Sequence, residues 1–461
     1  MGDQVAERAA GEAGRSCGTA ADPATAIRKQ ARPKGGGENP LNGPVNGRAQ
    51  SPAQNATQDP AQSPAQDPAP AVSAKLRERI DRYQDRVRGW QGTHLLHGPA
   101  AGPGDVVVAS NDYLALAGDR RIAKAMADCL TSGDDGALLA SAAFLHGDHP
   151  QLRLERDLAR FLRAPAGVLC QSGWDANLGL LQAIADPTTP VYVDLLAHMS
   201  LWSGARLAGA PVHPFRHNDP VHLRRQIDRH GPGVIAVDSL YSTNGSLCPL
   251  ERMCDVAAET GCTMVVDESH SLGVYGPGGA GLVVGLGLTG RVHFRVASLS
   301  KAFAGRAGYV AACDPGFVGY FKLNSFPAVF SSMLLPHDVA GLAAALDIVA
   351  AEPWRRDRLH RLAARLRREI GALGFDLQDS AGQIIALQTG PDRHAIKVRD
   401  LLAGHGVFGS VFCPPATPRN RTLIRLSLHA ALTDGDADRI IAACRAVRDA
   451  HGAAPPRRGA P

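Results

Sequence analysis

Apolar and polar residues alternate with two different periods along this chain. The first helical stretch, predicted to begin after Ser73, carries apolar residues on one face at Leu76, Ile80, Tyr83 and Val87. Between residues 150 and 312, runs that are apolar on both faces alternate with helical stretches, and these runs read PVYVDL, GVIAVDS, TMVVDES, VHFRVAS and GYVAAC. Such alternation predicts an α/β fold with a mostly parallel central sheet and right-handed crossovers.

The pattern changes after Pro336 to long helices, two short strands (QIIALQTG and LIRLSL) and a final helix. This change predicts a second, smaller C-terminal α+β domain. The predicted divisions are a helix with a substrate-loop segment, a large domain, a small domain and a tail, at residues 72–125, 126–335, 336–452 and 453–461. Residues 1–71, rich in Ala, Gly, Pro and Gln with repeated SPAQ and DPAQ, are predicted to be a disordered extension.

Composition narrows the class of protein. The 461 residues are 44% hydrophobic and carry a net charge of +5 that is spread along the chain, which does not suggest nucleic-acid binding. No apolar stretch is long enough to span a membrane, and the nine cysteines include no C-x-x-C pair. We therefore expect a cytoplasmic protein with reduced thiols, no membrane segment and no metal cluster.

Polar residues at the strand ends suggest a site for pyridoxal 5′-phosphate (PLP), because ligands of parallel sheets collect at the carboxyl ends of strands. Lys301 follows one predicted strand in ASLSKAFAG, and VVDESHSLG places Asp267 and His270 at the end of another. PLP enzymes require a lysine for the aldehyde, an anion for the pyridine nitrogen and a partner for the ring hydroxyl. Taken singly, these residues would more often be a solvated lysine and a turn aspartate.

Further candidates complete this set. QSGWDAN places the amides of Gly173 and Trp174 at the start of a helix, where a phosphate group binds favourably, and Ser298 adds a hydroxyl. His198 in DLLAHMSLWSGAR is a candidate to stack on the ring, and Ser239 in DSLYSTNG is a candidate to reach it. Capping or core roles are the ordinary alternatives for each of these residues.

The ordered set SGWDAN, AHMS, DSLYSTNG, VDESHSLG, SLSKAF and IRLSL resembles the α-oxoamine synthases, a family of fold type I PLP enzymes. Within that family the chain is most similar to the α-hydroxyketone autoinducer synthases, as seen in AFLHGDHPQL, FPAVFSSMLLP and GVFGSVFCPPAT. The resemblance covers most of the chain from SNDYLALAG to IRLSL. It implies a large PLP-binding domain, a smaller C-terminal domain and a homodimer with active sites at the interface.

The resemblance also implies roles for individual residues. Lys301 is the Schiff-base lysine, Asp267 the partner of the pyridine nitrogen and His270 the neighbour of the ring oxygen. The remaining implied contacts are His198 and Ser239 with the ring, Gly173, Trp174 and Ser298 with the phosphate, Ser331 and Ser332 with the phosphate of the partner subunit, and Asn111, Tyr113 and Arg425 with the substrate.

The chain departs from the family pattern in two places. Where relatives carry a Gly-Ser-rich stretch that includes an arginine, this chain has ALLASAAFLHGDHP. The small side chains of Ala142 and Ala143 would leave room for a different substrate. FCPP, residues 412–415, replaces I-R-P-P, which leaves Arg425 to bind the substrate carboxylate alone. A cluster of His146, Asp148 and His149 lacks matching ligands in a third segment and is interpreted as a loop rather than a metal site.

The implied reaction is the decarboxylative condensation of an α-amino acid with an acyl-CoA to an α-aminoketone. The subfamily resemblance implies a medium- or long-chain acyl group and 2-aminobutyrate or S-adenosylmethionine as the amino substrate. Alternatives are another α-oxoamine synthase, such as one that makes a sphingoid base, and a catalytically silent relative that binds partners. The presence of Lys301, Asp267 and His270 argues against the silent relative.

Overall fold

The computed structural model describes residues 71–90, 94–132 and 140–451, so the predicted extension and tail lie outside the described residues. The first elements are α1 (Ala74–Arg88), β1 (Val106–Val107) and α2 (Arg120–Thr131). The helix predicted after Ser73 is confirmed, because the Ser73 hydroxyl accepts a hydrogen bond from the amide of Leu76 at 3.3 Å. No residue of α1 is fully buried: Leu76 and Tyr83 are exposed, and Ile80 and Val87 are partly buried.

Seven strands form the central sheet: β2 (Ala166–Cys170), β3 (Val191–Asp194), β4 (Val212–Phe215), β5 (Val234–Asp238), β6 (Thr263–Asp267), β7 (Phe294–Ser298) and β8 (Gly308–Ala312). Their spatial order is β2-β8-β7-β6-β5-β3-β4. All neighbours are parallel except β8, which is antiparallel to both β2 and β7. The predicted strands and the mostly parallel sheet are confirmed, and the apolar runs form strands because both of their faces are buried.

Helices connect these strands and cover the sheet: α3 (Pro150–Phe161), α4 (Gly173–Ile184), α5 (Met199–Leu207), α6 (Pro220–His230), α7 (Leu250–Thr260), α8 (Leu282–Gly285), α9 (Gly316–Asn324) and α10 (Phe326–Val329). His149 caps α3 by accepting from the amide of Gln151, and Asp148 pairs with Arg153 at 2.6 Å. These contacts give the loop histidine and aspartate structural roles. Within the described ranges, no three potential metal ligands lie together.

The remaining elements are α11 (Pro336–Ala351), α12 (Pro353–Ala372), β9 (Ile384–Gly390), α13 (Asp392–Gly404), β10 (Val407–Phe408), β11 (Ser410–Phe412), β12 (Thr422–Ser427) and α14 (Asp434–His451). β9, β11 and β12 form an antiparallel sheet with β12 in the centre. β1 pairs in parallel with β10, which ties the segment before α2 to the C-terminal elements. No helix in the described part of the chain is both long and apolar enough to cross a membrane.

Candidate active site

Two adjoining cavities lie at the carboxyl ends of the central strands, where the sequence predicted the chemistry. The inner cavity has a volume of about 240 Å³ and the outer one of about 530 Å³. His198, His270 and Lys301 line both cavities, so the two spaces meet at these side chains. Of the other predicted residues, Gly173, Trp174, Asp267 and Ser298 line the inner cavity, and Asn111 and Arg425 line the outer one.

Lys301 lies in the turn that follows β7, between the two cavities. Burial lowers the pKa of its ammonium group below the usual value, and Asp267 and Asp238 oppose this shift. Within the part of the chain that the structure describes, no hydrogen bond or ion pair engages the amine. A lowered pKa increases the share of the neutral amine, which is the nucleophilic form of a lysine.

Asp267 ends β6, and its carboxylate is held from both sides. One oxygen accepts from the Nδ2 of Asn177 at 2.7 Å and the other from the amide of Ser269 at 2.8 Å. Asn177 also donates to Ser200, while its own carbonyl oxygen is buried without a partner in the described structure. These two donors fix the orientation of the Asp267 carboxyl group at the wall of the inner cavity.

His198 is the N-cap residue of α5, and its ring closes one side of the inner cavity. Its Nδ1 lies 2.7 Å from the Ser200 hydroxyl, and its backbone amide donates to Asp238 at 3.2 Å. Burial lowers the pKa of His198, which favours a neutral ring suited to stacking on an aromatic ligand. Burial and then the Asp267 carboxylate raise the pKa of Asp238 well above its usual value.

Gly173 begins α4, so the unpaired amides of the first turn point into the inner cavity. A Cβ at this position would lie only 2.5 Å from the Cβ of Ser298. The helix terminus and the end of β7 therefore approach closely because position 173 has no side chain. Such a terminus with a serine hydroxyl beside it is suited to an anion such as phosphate.

Arg425 lies on β12 and is 3% exposed. Its Nη1 donates to the backbone carbonyl of Ser242 at 2.6 Å, its Nη2 donates to the side chain of Asn111, and its guanidinium lies 4.6 Å from the ring centroid of Phe412. Phe412 belongs to FCPP, the segment that departs from the family pattern. The Phe412 ring of this segment therefore packs against the Arg425 guanidinium.

The outer cavity contains residues that the sequence analysis did not single out. Arg206 and Trp202 lie one turn apart on α5, with the guanidinium 6.0 Å from the Trp202 ring, and both line this cavity. Arg206 is thus a second arginine at this cavity, and the expectation that Arg425 binds the substrate carboxylate alone stays a prediction. Helical spacing from His198 was the signal that would have found these residues, since α5 starts directly after it.

Tyr113 and Ser239 lie behind the cavity walls instead of facing the ligand space. Tyr113 is fully buried, with its hydroxyl 2.6 Å from the Nδ1 of His270. Ser239 is also fully buried, and its hydroxyl donates to the Asp267 carbonyl at 3.0 Å. Neither residue lines the two cavities of this chain, and their predicted contacts with the substrate and the ring stay predictions.

Ser331 and Ser332 follow α10 and do not line either cavity of their own chain. The Ser331 hydroxyl donates to the carbonyl of Pro327, and the carbonyl of Ser332 accepts from Gln171. Ala142 lies beside them in a small separate pocket, so it does not widen the substrate space of its own chain. The predicted contacts of the two serines with a partner subunit stay a prediction.

The inner cavity fits PLP by its own chemistry. It combines an amine at Lys301, an anion at Asp267, a neutral ring at His198 and a phosphate cradle at Gly173 and Ser298. The unpartnered carbonyl oxygen of Asn177 is a further polar group available to a ligand. Fold and cavity together define a PLP-dependent enzyme.

Comparisons with known proteins agree with this class. A model of the family "Aminotransferase class I and II" matches residues 104–443. The chain is 44% identical over 369 residues to the CAI-1 autoinducer synthase of Vibrio campbellii. The aligned region covers 80% of this chain and 93% of that protein. It is 34% identical over 344 residues to the 8-amino-7-oxononanoate synthase of Chromohalobacter salexigens, spanning 72% and 86%.

A solved structure shows the same fold. The serine palmitoyltransferase from S. paucimobilis with bound PLP and myriocin superposes with a TM-score of 0.75 at 23% identity, over 82% of this chain and 99% of that one. The chain therefore belongs to the aminotransferase class I and II family and, within it, to the α-oxoamine synthases. It is a PLP-dependent acyltransferase.

Proposed function

We propose that this enzyme condenses an α-amino acid with a medium- or long-chain acyl-CoA, with loss of CO₂, to an α-aminoketone that is the precursor of an α-hydroxyketone autoinducer. The amino substrate is 2-aminobutyrate or S-adenosylmethionine. The observation that carries the proposal is that Lys301, His270 and Arg425 line one cavity with an apolar outer wall. The 44% identity to an autoinducer synthase supports this product class over a sphingoid base.

The inner residues are assigned to the cofactor. Lys301 would hold the aldehyde carbon, Asp267 would serve as the partner of the pyridine nitrogen, and His270 would be the neighbour of the ring oxygen. The amides of Gly173 and Trp174, with the Ser298 hydroxyl, bind its phosphate. When bound, PLP supplies an electrophilic aldehyde and a protonated ring that withdraws electrons from the Cα of the amino acid.

The outer residues are assigned to the substrates. The Arg425 guanidinium binds the carboxylate of the amino acid, and Asn111 holds that guanidinium in place. Once the amino group of the substrate has displaced it from the cofactor, the free Nζ of Lys301, whose pKa is lowered by burial, would accept the proton from Cα. The deprotonated Cα would then attack the thioester carbonyl, with CoA leaving as the thiol and the carboxylate leaving as CO₂.

One part of the outer cavity lining suits an acyl chain on an anionic carrier. Leu195, Met199 and Trp202 give it apolar surface, and Arg206 adds a positive charge at the same face. Apolar surface buries a chain favourably, and a guanidinium binds phosphate groups. We assign the acyl chain to the three apolar side chains and the anionic CoA moiety to Arg206.

The decisive experiment compares the wild-type enzyme with Lys301→Ala. PLP bound to a lysine absorbs in the near ultraviolet and the visible, so we expect absorption bands in the wild type that Lys301→Ala lacks. Mass spectrometry of products from 2-aminobutyrate or S-adenosylmethionine with decanoyl-CoA should then detect an α-aminoketone. A visible band without condensation of either amino substrate would refute the substrate assignment, and a serine-derived ketone as the main product would indicate a sphingoid-base synthase.

A further inference from the structure

A buried tyrosine lies directly behind His270, on the side away from the cofactor cavity. The hydroxyl of Tyr113 is 2.6 Å from the Nδ1 of His270, and the two ring centroids are 5.9 Å apart. Tyr113 is fully buried and His270 is 5% exposed. The two residues lie 157 positions apart along the chain, so the tertiary fold brings them together.

The direction of each hydrogen bond in this group follows from donor chemistry. Arg425 carries only donors, so the side-chain atom of Asn111 that contacts its Nη2 is the carbonyl oxygen Oδ1. The same Oδ1 lies 3.2 Å from the hydroxyl of Tyr113. Because a carbonyl oxygen only accepts, the Tyr113 hydroxyl donates its single proton to Asn111.

This direction determines which nitrogen of His270 carries its proton. With the Tyr113 proton directed at Asn111, the short contact to His270 is a hydrogen bond when the Nδ1 donates to the tyrosine oxygen. Burial, followed by the charges of Lys301 and Arg425 and by His198, lowers the pKa of His270 well below its usual value, so the ring is neutral. Burial raises the pKa of Tyr113, which keeps its hydroxyl protonated.

We propose that Tyr113, anchored through Asn111 to Arg425, fixes His270 in the Nδ1–H tautomer, so that the bare Nε2 presents a hydrogen-bond acceptor to the cofactor cavity. Tyr113 is thus a positioning residue that acts through His270. The inference rests on the proposed placement of His270 beside the ring oxygen of PLP. An acceptor there keeps a proton on that oxygen, whereas a donor would stabilise the deprotonated oxygen.

The spectrum of the PLP-loaded enzyme without substrate reports this proton. A protonated ring oxygen gives the near-ultraviolet band of lysine-bound PLP, and a deprotonated one gives the visible band. Tyr113→Phe removes the partner of Nδ1 and makes the Nε2–H tautomer accessible. We expect the ratio of visible to near-ultraviolet absorbance to rise about five- to tenfold, the factor that the net contribution of one buried hydrogen bond maintains.

Asn111→Ala tests the same series of hydrogen bonds while Tyr113 stays in place. Without Oδ1 as acceptor, the Tyr113 hydroxyl turns to the Nδ1 of His270, which places the imidazole proton on Nε2 and raises the ratio in the same direction. Tyr309→Phe is the matched control, because Tyr309 is equally buried and its hydroxyl donates only to the backbone carbonyl of Glu155 at 2.7 Å. We expect it to leave the ratio unchanged.

The outcomes separate this inference from the proposed function. If the wild-type bands disappear in Lys301→Ala but Asn111→Ala keeps the wild-type ratio, the tautomer assignment is wrong and the cofactor placement stands. If the wild type binds PLP without lysine-dependent bands, the placement fails and the inference fails with it. Should Tyr113→Phe not fold, Asn111→Ala decides alone, since Asn111 is only partly buried. A purely structural tyrosine would give no shift in Asn111→Ala.

Discussion

Arg425 depends on its neighbours for its orientation. The carbonyl of Ser242, the side chain of Asn111 and the ring of Phe412 hold the guanidinium in the outer cavity before any substrate arrives. Preorganisation of this kind lowers the entropic cost of binding a carboxylate. Burial lowers the pKa of Arg425, but an arginine pKa is so high that the group stays charged at neutral pH.

We expect Arg425→Gln to raise the KM for the amino acid roughly 10- to 100-fold, because hydrogen bonds to a charged group contribute about 1.5–3 kcal/mol. Steady-state kinetics at saturating acyl-CoA measure this change. The control is Arg421→Gln, since Arg421 is exposed at the start of the same strand region. An unchanged KM for the amino acid would place the carboxylate elsewhere, with Arg206 as the next residue to test.

At the scale of elements, the phosphate cradle depends on how closely α4 approaches β7. An alanine Cβ at position 173 would lie 2.5 Å from the Cβ and 2.8 Å from the Cα of Ser298, so one of the two elements must shift. We expect Gly173→Ala to weaken PLP binding at least tenfold, as measured by the rise of the visible band on titration of the apoenzyme.

Gly319→Ala is the matched control for this helix substitution. Gly319 lies within α9, and a Cβ there would meet nothing within 4 Å. Alanine is favoured over glycine in a helix by up to about 1 kcal/mol, so the melting temperature should stay level or rise slightly with PLP affinity intact. Equal PLP affinity in Gly173→Ala and the wild type would remove α4 from the proposed phosphate site.

The sequence predicted the central strands well because their apolar runs are short and bounded by helical stretches. It also placed Asp267, His270 and Lys301 at strand ends that converge, since parallel strands align their carboxyl ends. The pairing of β1 with β10 could not be predicted from local sequence patterns, because it joins two-residue strands about 300 positions apart. The hydrogen bonds of Asn177, Tyr113 and Ser239 could not be predicted either, since they join side chains to elements that are distant in the sequence.

At the scale of the whole molecule, exposed apolar side chains gather on the segment that carries Ser331 and Ser332. Tyr320, Leu323, Phe326, Phe330 and Leu335 are all at least 44% exposed, and Phe330 reaches 80%. A cluster of solvent-exposed apolar side chains usually marks a protein–protein interface. It supports the prediction that a second copy covers this segment and receives the two serines.

We expect Phe330→Glu to weaken the homodimer, because a buried unpaired carboxylate opposes association. Analytical ultracentrifugation should show a larger monomer fraction and a lower PLP content per chain than in the wild type. Val221→Glu is the control, since Val221 is 53% exposed on α6, away from that segment. A dimer as tight as the wild type would place the interface on another face.

The contact between Arg425 and Ser242 involves a carbonyl of the main chain, and this has a consequence for evolution and engineering. Every amino acid supplies that carbonyl, so a substitution at position 242 keeps the anchor of the guanidinium as long as the loop retains its course. Ser242 also lines the outer cavity. We therefore expect a saturation library at this position to alter substrate selectivity while the orientation of the Arg425 guanidinium persists.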